Sequence, residues 1–183
     1  KISDIYSLGG GANVKIALNQ LLGTTIDNYI SVSDGEFTDL IDEITTINYT
    51  MSSQIKKTVS GNDGFSIRIR DGEQSLNGEK VLKLMRYYTE IEKNYQSQND
   101  FVLNCVQQLI CGETLQNKEN IFKNIVNNTQ TDITVKDYTS SEDNLTVLAD
   151  ESTSMSVYGV ITETSKNEIT ENSLKSIKGY FAE

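Results

Sequence analysis

Apolar positions recur at two spacings along the chain, and their succession predicts helices interleaved with strands. In residues 12–22 (ANVKIALNQLL), Val14, Ala17, Leu18 and Leu21 share one helical face, and Gly23 stands where such a helix stops. Residues 26–33 alternate, with Ile26, Ile30 and Val32 on one side, as in a half-buried strand, and Asp34-Gly35 reads as the turn after it. Phe37, Leu40, Ile41 and Ile44 then mark a short amphipathic helix. Residues 46–51 and 65–69 read as strands, with the loop SGNDG at 60–64 between them. Asn77 is placed to cap a helix that carries Glu79 in its first turn and buries Val81, Leu82 and Met85. Residues 89–100 are polar and show neither period.

Further on, Phe101/Val102, Cys105/Val106 and Leu109/Ile110 form a wide helical stripe that ends at Gly112. Ile121, Phe122, Ile125 and Val126 predict another helix over 117–127, with Thr131-Asp132 able to cap a short one after it. The polar stretch 139–154 reads as a surface connection, 155–162 as a strand, and 172–182 as a closing helix through Leu174, Ile177 and Phe181. No internal repeat interrupts the order. The expected class is α/β (α+β), a central mixed β-sheet covered by helices, as one domain over 1–183.

Composition narrows the chemistry. The chain has 183 residues and no histidine, which removes Ser-His-Asp and Cys-His catalysis and every histidine-metal site. It also lacks Pro and Trp. The net charge of −10 repels nucleic-acid phosphates, and no basic patch with interleaved aromatics offsets it, so no nucleic-acid partner is expected. Cys105 and Cys111 lie six apart on one predicted helix, ~9 Å along its axis and on different faces, so they do not form a disulfide; Cys105 falls in the apolar stripe. No run approaches the ~18 apolar residues of a membrane span. The chain starts without Met, as a trimmed or mature fragment would.

Candidate sites are few. Gly9-Gly10-Gly11 before a helix can offer backbone N–H groups to a phosphate but lacks the rest of a P-loop, and a flexible turn explains it better. Asp39 and Glu43 share a helix face that reads as solvated. Arg68 and Arg70 share one strand face; they can grip a phosphate through guanidinium forks, although an exposed face is the simpler reading. Arg86 ends a helix with Tyr87 and Tyr88 beside it. Besides complementing the helix dipole, it suits a pocket with an apolar wall and an anionic head group.

The segment GEQSLNGEKVLKLMRYY at 72–88 resembles the signature G-x-Q-x-L-N-G-x-x-A-L-x-Y-x-R-x-R of the LytR-CpsA-Psr family, through Gly72, Gln74, Leu76, Asn77, Gly78, Glu79, Leu82 and Arg86. Upstream, Lys1, Ile2, Tyr6, Gly9, Gly10, Leu21, Leu22, Gly23, Ile26, Asp27, Tyr29, Phe37, Leu40 and Asp42 follow the family's K-I-N-x-A-Y-x-x-G-G and L-L-G-x-x-I-D-Y-Y patterns in order. Residues 94–111 resemble the helix that follows the arginine motif, and 125–138 the family's V-x-T-N-I-T-x-x-D stretch. The resemblance covers most of 1–138 and only loosely 139–183.

That resemblance implies a cell-envelope protein of Gram-positive bacteria, at the extracellular face and anchored by an N-terminal membrane helix that precedes Lys1. It implies transfer of polyprenyl-pyrophosphate-linked glycopolymers onto peptidoglycan, with Mg²⁺ and a cluster of Arg and Asp around the pyrophosphate and an apolar tunnel for the lipid tail. Arginines and metal would neutralise charge developing on the leaving phosphate. Arg86 matches the first signature arginine and is the expected catalytic residue; Arg86, Tyr88 and Gln98 are the expected ligand contacts. No metal ligands can be assigned.

The departures are specific. Tyr88 stands where the second arginine belongs, Asn94 and Ser97 occupy the region of two more, and only Gln98 fits that element. Thr45-Thr46 replaces a Gly-Gly, and the family's first strands, with their Asp and Arg, would precede Lys1. Each missing donor costs on the order of 10²-fold in rate by analogy with oxyanion-hole deletions. The expectation is therefore impaired transfer. The alternative is a non-catalytic extracellular module that binds polyprenyl phosphate or a wall polymer.

Overall fold

A computed structural model describes residues 2–109, 112–151 and 171–180. In chain order the elements are α1 (Ile2–Leu22), β1 (Ile30–Ser31), α2 (Asp34–Ile44), β2 (Ile47–Met51), β3 (Ile55–Val59), β4 (Phe65–Ile69), β5 (Gly72–Leu76), α3 (Gly78–Arg86), a π-helical turn (Tyr87–Ile91), α4 (Tyr95–Leu109), α5 (Gly112–Leu115), α6 (Lys118–Asn128), β6 (Gln130–Thr131), α7 (Val135–Glu151) and α8 (Glu171–Tyr180). The α+β class stands. Among the described residues the strands form three antiparallel ladders, β1–β6, β2–β5 and β3–β4.

Side chains end two of these ladders. The Gln108 amide on α4 donates to the Asn48 carbonyl and accepts from the Asn48 N–H, both at 2.8 Å, and so caps an edge of β2 as a neighbouring strand would. At β1 the expected strand over 26–33 shrinks to two residues. There the Tyr29 N–H donates to Asp132 Oδ1 at 2.8 Å, and the Tyr29 carbonyl accepts from Thr131 Oγ1 at 2.6 Å. Side chains replace the ladder partners that would have lengthened it.

One apolar core holds the middle of the chain. Ile47, Leu76, Val81, Leu84 and Phe101 are fully buried, with Ile41, Met51, Ile55, Phe65, Ile67, Ile69, Tyr88 and Cys105 packed around them. The alternation of β4 places Phe65, Ile67 and Ile69 inside. The helix α3 packs against α2, α4, β4 and β5. Its core stripe is Val81, Leu84 and then Tyr88; Leu82 and Met85 are half-buried, so the face is turned from the expected one.

Local chemistry explains the other differences. Asp34-Gly35 opens α2 rather than turning, because Ser33 and Glu36 form a reciprocal capping box. Residues 139–151 of the expected surface connection are helical. Thr134 and Asp137 cap this helix: the Thr134 N–H donates to Asp137 Oδ2 at 2.7 Å, and the Asp137 N–H to Thr134 Oγ1 at 3.2 Å. The cap therefore sits at Thr134, not at Thr131-Asp132. The expected strand at 155–162 lies outside the described residues. The strands β3 and β5 carry no clean alternation of apolar residues and form through pairing with β4 and β2.

Residues 2–8 are helical as well, and α1 bends at its glycines. Gly10, at φ 62° and ψ −155°, adopts a conformation open only to glycine. Gly11 is buried under the Tyr29 ring, where an added Cβ would come within 2.4 Å of it. The triple glycine thus makes a kink and a close approach.

Candidate functional site

The signature segment folds as a scaffold that aims the last turn of α3. Leu76 is buried, and Asn77 Oδ1 caps the helix by accepting from the Lys80 N–H at 3.2 Å. Gly78 meets α2 so closely that a Cβ would sit 2.2 Å from the Thr38 carbonyl oxygen, and its N–H donates to Asp42 Oδ1 at 2.6 Å. The L-N-G triplet therefore serves core, cap and close approach in three consecutive residues.

At the other end of α3, Arg86 is clamped. Nε donates to Glu90 Oε1 at 2.8 Å, and Nη2 to Glu90 Oε2 at 3.3 Å and to the Asp63 carbonyl at 2.6 Å. The guanidinium carbon lies 4.5 Å from the centroid of the Phe65 ring. The Glu90 hydrogen bond raises the Arg86 pKa further, so the group is always cationic. Of its five N–H donors, three are engaged among the described residues and the pair on Nη1 is not. A carboxylate already lies along one edge of the fork, where an incoming phosphate would also bind.

Tyr88 turns inward from this clamp. Its ring lies 6.3 Å from Phe101 and 5.9 Å from Tyr87, and it is buried. Burial and a hydrogen bond with Tyr49 push its phenol well above the ordinary tyrosine range. Gln98 is half-buried on α4, its backbone N–H on the Asn94 carbonyl. Arg86, Tyr88 and Gln98 line none of the concavities described below. Sequence reasoning missed Glu90, Asp63 and Phe65 as partners of Arg86. The i,i+4 spacing of Arg86 and Glu90 was a readable signal; the approach of the 60–64 turn was not.

Concave apolar surface lies elsewhere. A cavity of about 290 Å³ is lined by Leu115, Ile121, Phe122, Ile125, Ile133 and Tyr138, with Lys118 and Asp137 also on its wall. Phe122 and Tyr138 stack at 4.5 Å, which ties α6 to α7. Lys118 pairs with Glu142 at 3.4 Å. The volume is near the small end of ligand pockets (roughly 300–1,000 Å³). A second, more open groove of about 690 Å³ runs along α1 and β1 past Tyr6, Val14, Leu18, Tyr29 and Ile30. Lys15 lies in it; its Nζ donates to Asp132 Oδ2 at 2.5 Å and to the Asp27 carbonyl at 2.8 Å. The Lys15 hydrogen bond, followed by that of the Tyr29 N–H, holds the Asp132 carboxyl below the usual range.

This architecture has relatives. The model of the LytR_cpsA_psr family matches residues 1–179. The chain belongs to that family. Over 123 residues it is 26% identical to the polyisoprenyl-teichoic acid–peptidoglycan teichoic acid transferase TagV of Bacillus subtilis (strain 168), a match covering 67% of this chain and 31% of that protein. The matched stretch thus spans about a third of the curated relative.

The fold matches the crystal structure of a Eubacterium siraeum protein described as a transcription regulator. Its TM-score is 0.82 at 22% identity, covering 98% of this chain and 72% of that one. The crystal structure of B. subtilis TagV matches with a TM-score of 0.68 at 18% identity, covering 99% and 72%. Both solved structures share the fold of this chain.

Proposed function

We propose that this chain acts in the attachment of polyprenyl-pyrophosphate-linked glycopolymers to peptidoglycan, at the extracellular face of the membrane and with impaired catalysis. Family membership and the teichoic acid transferase relative support the class of reaction. Among the described residues no helix is long and apolar enough to cross a membrane, so anchoring by an N-terminal helix is part of this proposal. Arg86 is the phosphate contact, through the free Nη1 edge and through the Nε–Nη2 edge when Glu90 moves aside. The α5–α7 cavity takes part of the lipid tail by apolar burial.

The single observation that carries the impaired-catalysis reading is the Arg86–Glu90 pair. A guanidinium already neutralised by a carboxylate offers less stabilisation to charge developing on a leaving phosphate. Tyr88, at the place of a second arginine, is buried and presents no cation. The same pair favours the second reading, a module that holds the lipid phosphate without transferring it. For Mg²⁺, no group of three or more Asp, Glu, Cys or His side chains converges among the described residues, so they form no cage for the ion.

The test is a titration of the chain with a short-chain prenyl pyrophosphate. Arg86→Ala is expected to weaken binding about tenfold, the value of one charge-assisted hydrogen-bonded contact, and Glu90→Gln to strengthen it. Equal affinity in wild type and Arg86→Ala would overturn the assignment. Transfer of a labelled lipid-linked polymer to peptidoglycan then separates slow enzyme from pure binder.

A further inference from the structure

The β3–β4 ribbon has two unlike faces. One carries Ile55, Phe65, Ile67 and Ile69 into the core. On the other, the register sets Lys56 directly opposite Arg68 and Thr58 opposite Ser66, and Arg70 lies one residue past the end of β4. All five side chains are exposed, and the two hydroxyls are bonded to each other at 3.0 Å. Like charges directly opposite on a ladder destabilise it, and here no acid relieves them. Among the described residues Lys56, Arg68 and Arg70 form no salt bridge. Residues 55–70 hold four bases and one acid in a chain of net charge −10.

The shape and composition of this face select its partner. It is a flat strand surface, so it suits a linear chain lying across it better than a small molecule needing enclosure. Lys56 sits across from Arg68, and Arg70 follows two residues further along the chain. An extended polymer that repeats an anionic group can therefore meet two or three cations in succession. Guanidinium forks match phosphate oxygens, and the Thr58 and Ser66 hydroxyls add neutral hydrogen bonds alongside. The face presents no aromatic ring on which a base could stack and no apolar side chain to enter a lipid surface.

We propose that the solvent face of the β3–β4 ribbon, with Lys56, Arg68 and Arg70, is a docking surface for a phosphodiester-linked glycopolymer chain. It rests on the function proposed above and adds to it a place for the polymer, apart from the Arg86 contact for the lipid phosphate. Bound there, the polymer neutralises the uncompensated Lys56–Arg68 pair.

The experiment titrates the whole chain with lipid-free poly(glycerol phosphate) over a range of salt concentrations, and in parallel with a short-chain prenyl pyrophosphate. Wild type is expected to bind the polymer with an affinity that falls as salt rises. The triple variant Lys56→Gln/Arg68→Gln/Arg70→Gln is expected to lose at least about tenfold in polymer affinity, to keep its prenyl pyrophosphate affinity, and to melt no lower than wild type. Unchanged polymer affinity in a folded triple variant overturns the proposal. So does tighter binding of anionic phospholipid vesicles or of a single-stranded oligonucleotide than of the polymer, with that binding abolished in the triple variant. Polymer binding without any prenyl pyrophosphate binding leaves this surface standing and removes the Arg86 reading instead.

Discussion

The molecule has a closed region and an open one. In the closed region the β2–β5 and β3–β4 ladders and α2–α4 surround a core whose central side chains have no exposed surface. In the open region, α1, the two-residue β1–β6 ladder and α5–α7 leave Leu8, Ile30, Val126 and Val135 exposed and line both apolar concavities. The signature segment belongs to the closed region. Its Leu, Asn and Gly hold α3 in place, and Arg86 stands half-buried at the end of that helix. The 72–88 signature is thus largely a folding constraint, while the apolar surface that could receive a ligand is built from other segments of the chain.

Five substitutions and one change of pH sharpen or break that contrast. Phe101→Ala, at the centre of the closed region, is expected to cost about 3–5 kcal/mol in urea unfolding; a loss below 1 would show that the core is not the stabilising unit. Gly78→Ala is expected to cost about 1–3 kcal/mol, because the new methyl meets the Thr38 backbone, which cannot step aside. Gly11→Ala in the open region meets the Tyr29 ring, so the loss is expected to be smaller; equal losses would erase the distinction. Phe122→Ala removes a half-buried ring stacked on Tyr138, worth about 1–2 kcal/mol. It should also reduce uptake of an apolar probe by the α5–α7 cavity, which Phe101→Ala should not do while the chain stays folded.

The smallest effect is set by pH. Asp132 has its folded pKa below the ordinary value of 3.8, so its contribution is present above that value and is lost as pH falls through the folded one. Below about pH 4, amides of β1 and β6 should therefore exchange faster in hydrogen exchange, ahead of those of β2 and β5. Asp132→Asn should remove that pH dependence. Simultaneous loosening of both ladders would mean that the two regions open as one.

Much of this fold can be read along the chain. The stripes at 37–44, 101–109 and 118–126 became α2, α4 and α6, the alternation at 65–69 became β4, and Cys105 is buried as its place in a stripe requires. Errors fell where a side chain substitutes for backbone. Asp132 and Thr131 truncate β1, Ser33 with Glu36 starts α2 early, and Thr134 with Asp137 starts α7 in a stretch that looks like loop. Around Arg86 the helix position and the i,i+4 carboxylate were legible, but the Asp63 carbonyl and the Phe65 ring arrive from a turn more than 20 residues away.

What the sequence by itself determined is the family, the helices with strong stripes and the cation at the end of α3, because periodicity and ordered motifs are local properties. Only the tertiary structure decided that Tyr88 turns inward, that the Asp63 carbonyl and the Phe65 ring close on Arg86, and that Lys56 faces Arg68. Those facts depend on strand register and on which turns meet, and both are settled when distant segments bury a common core.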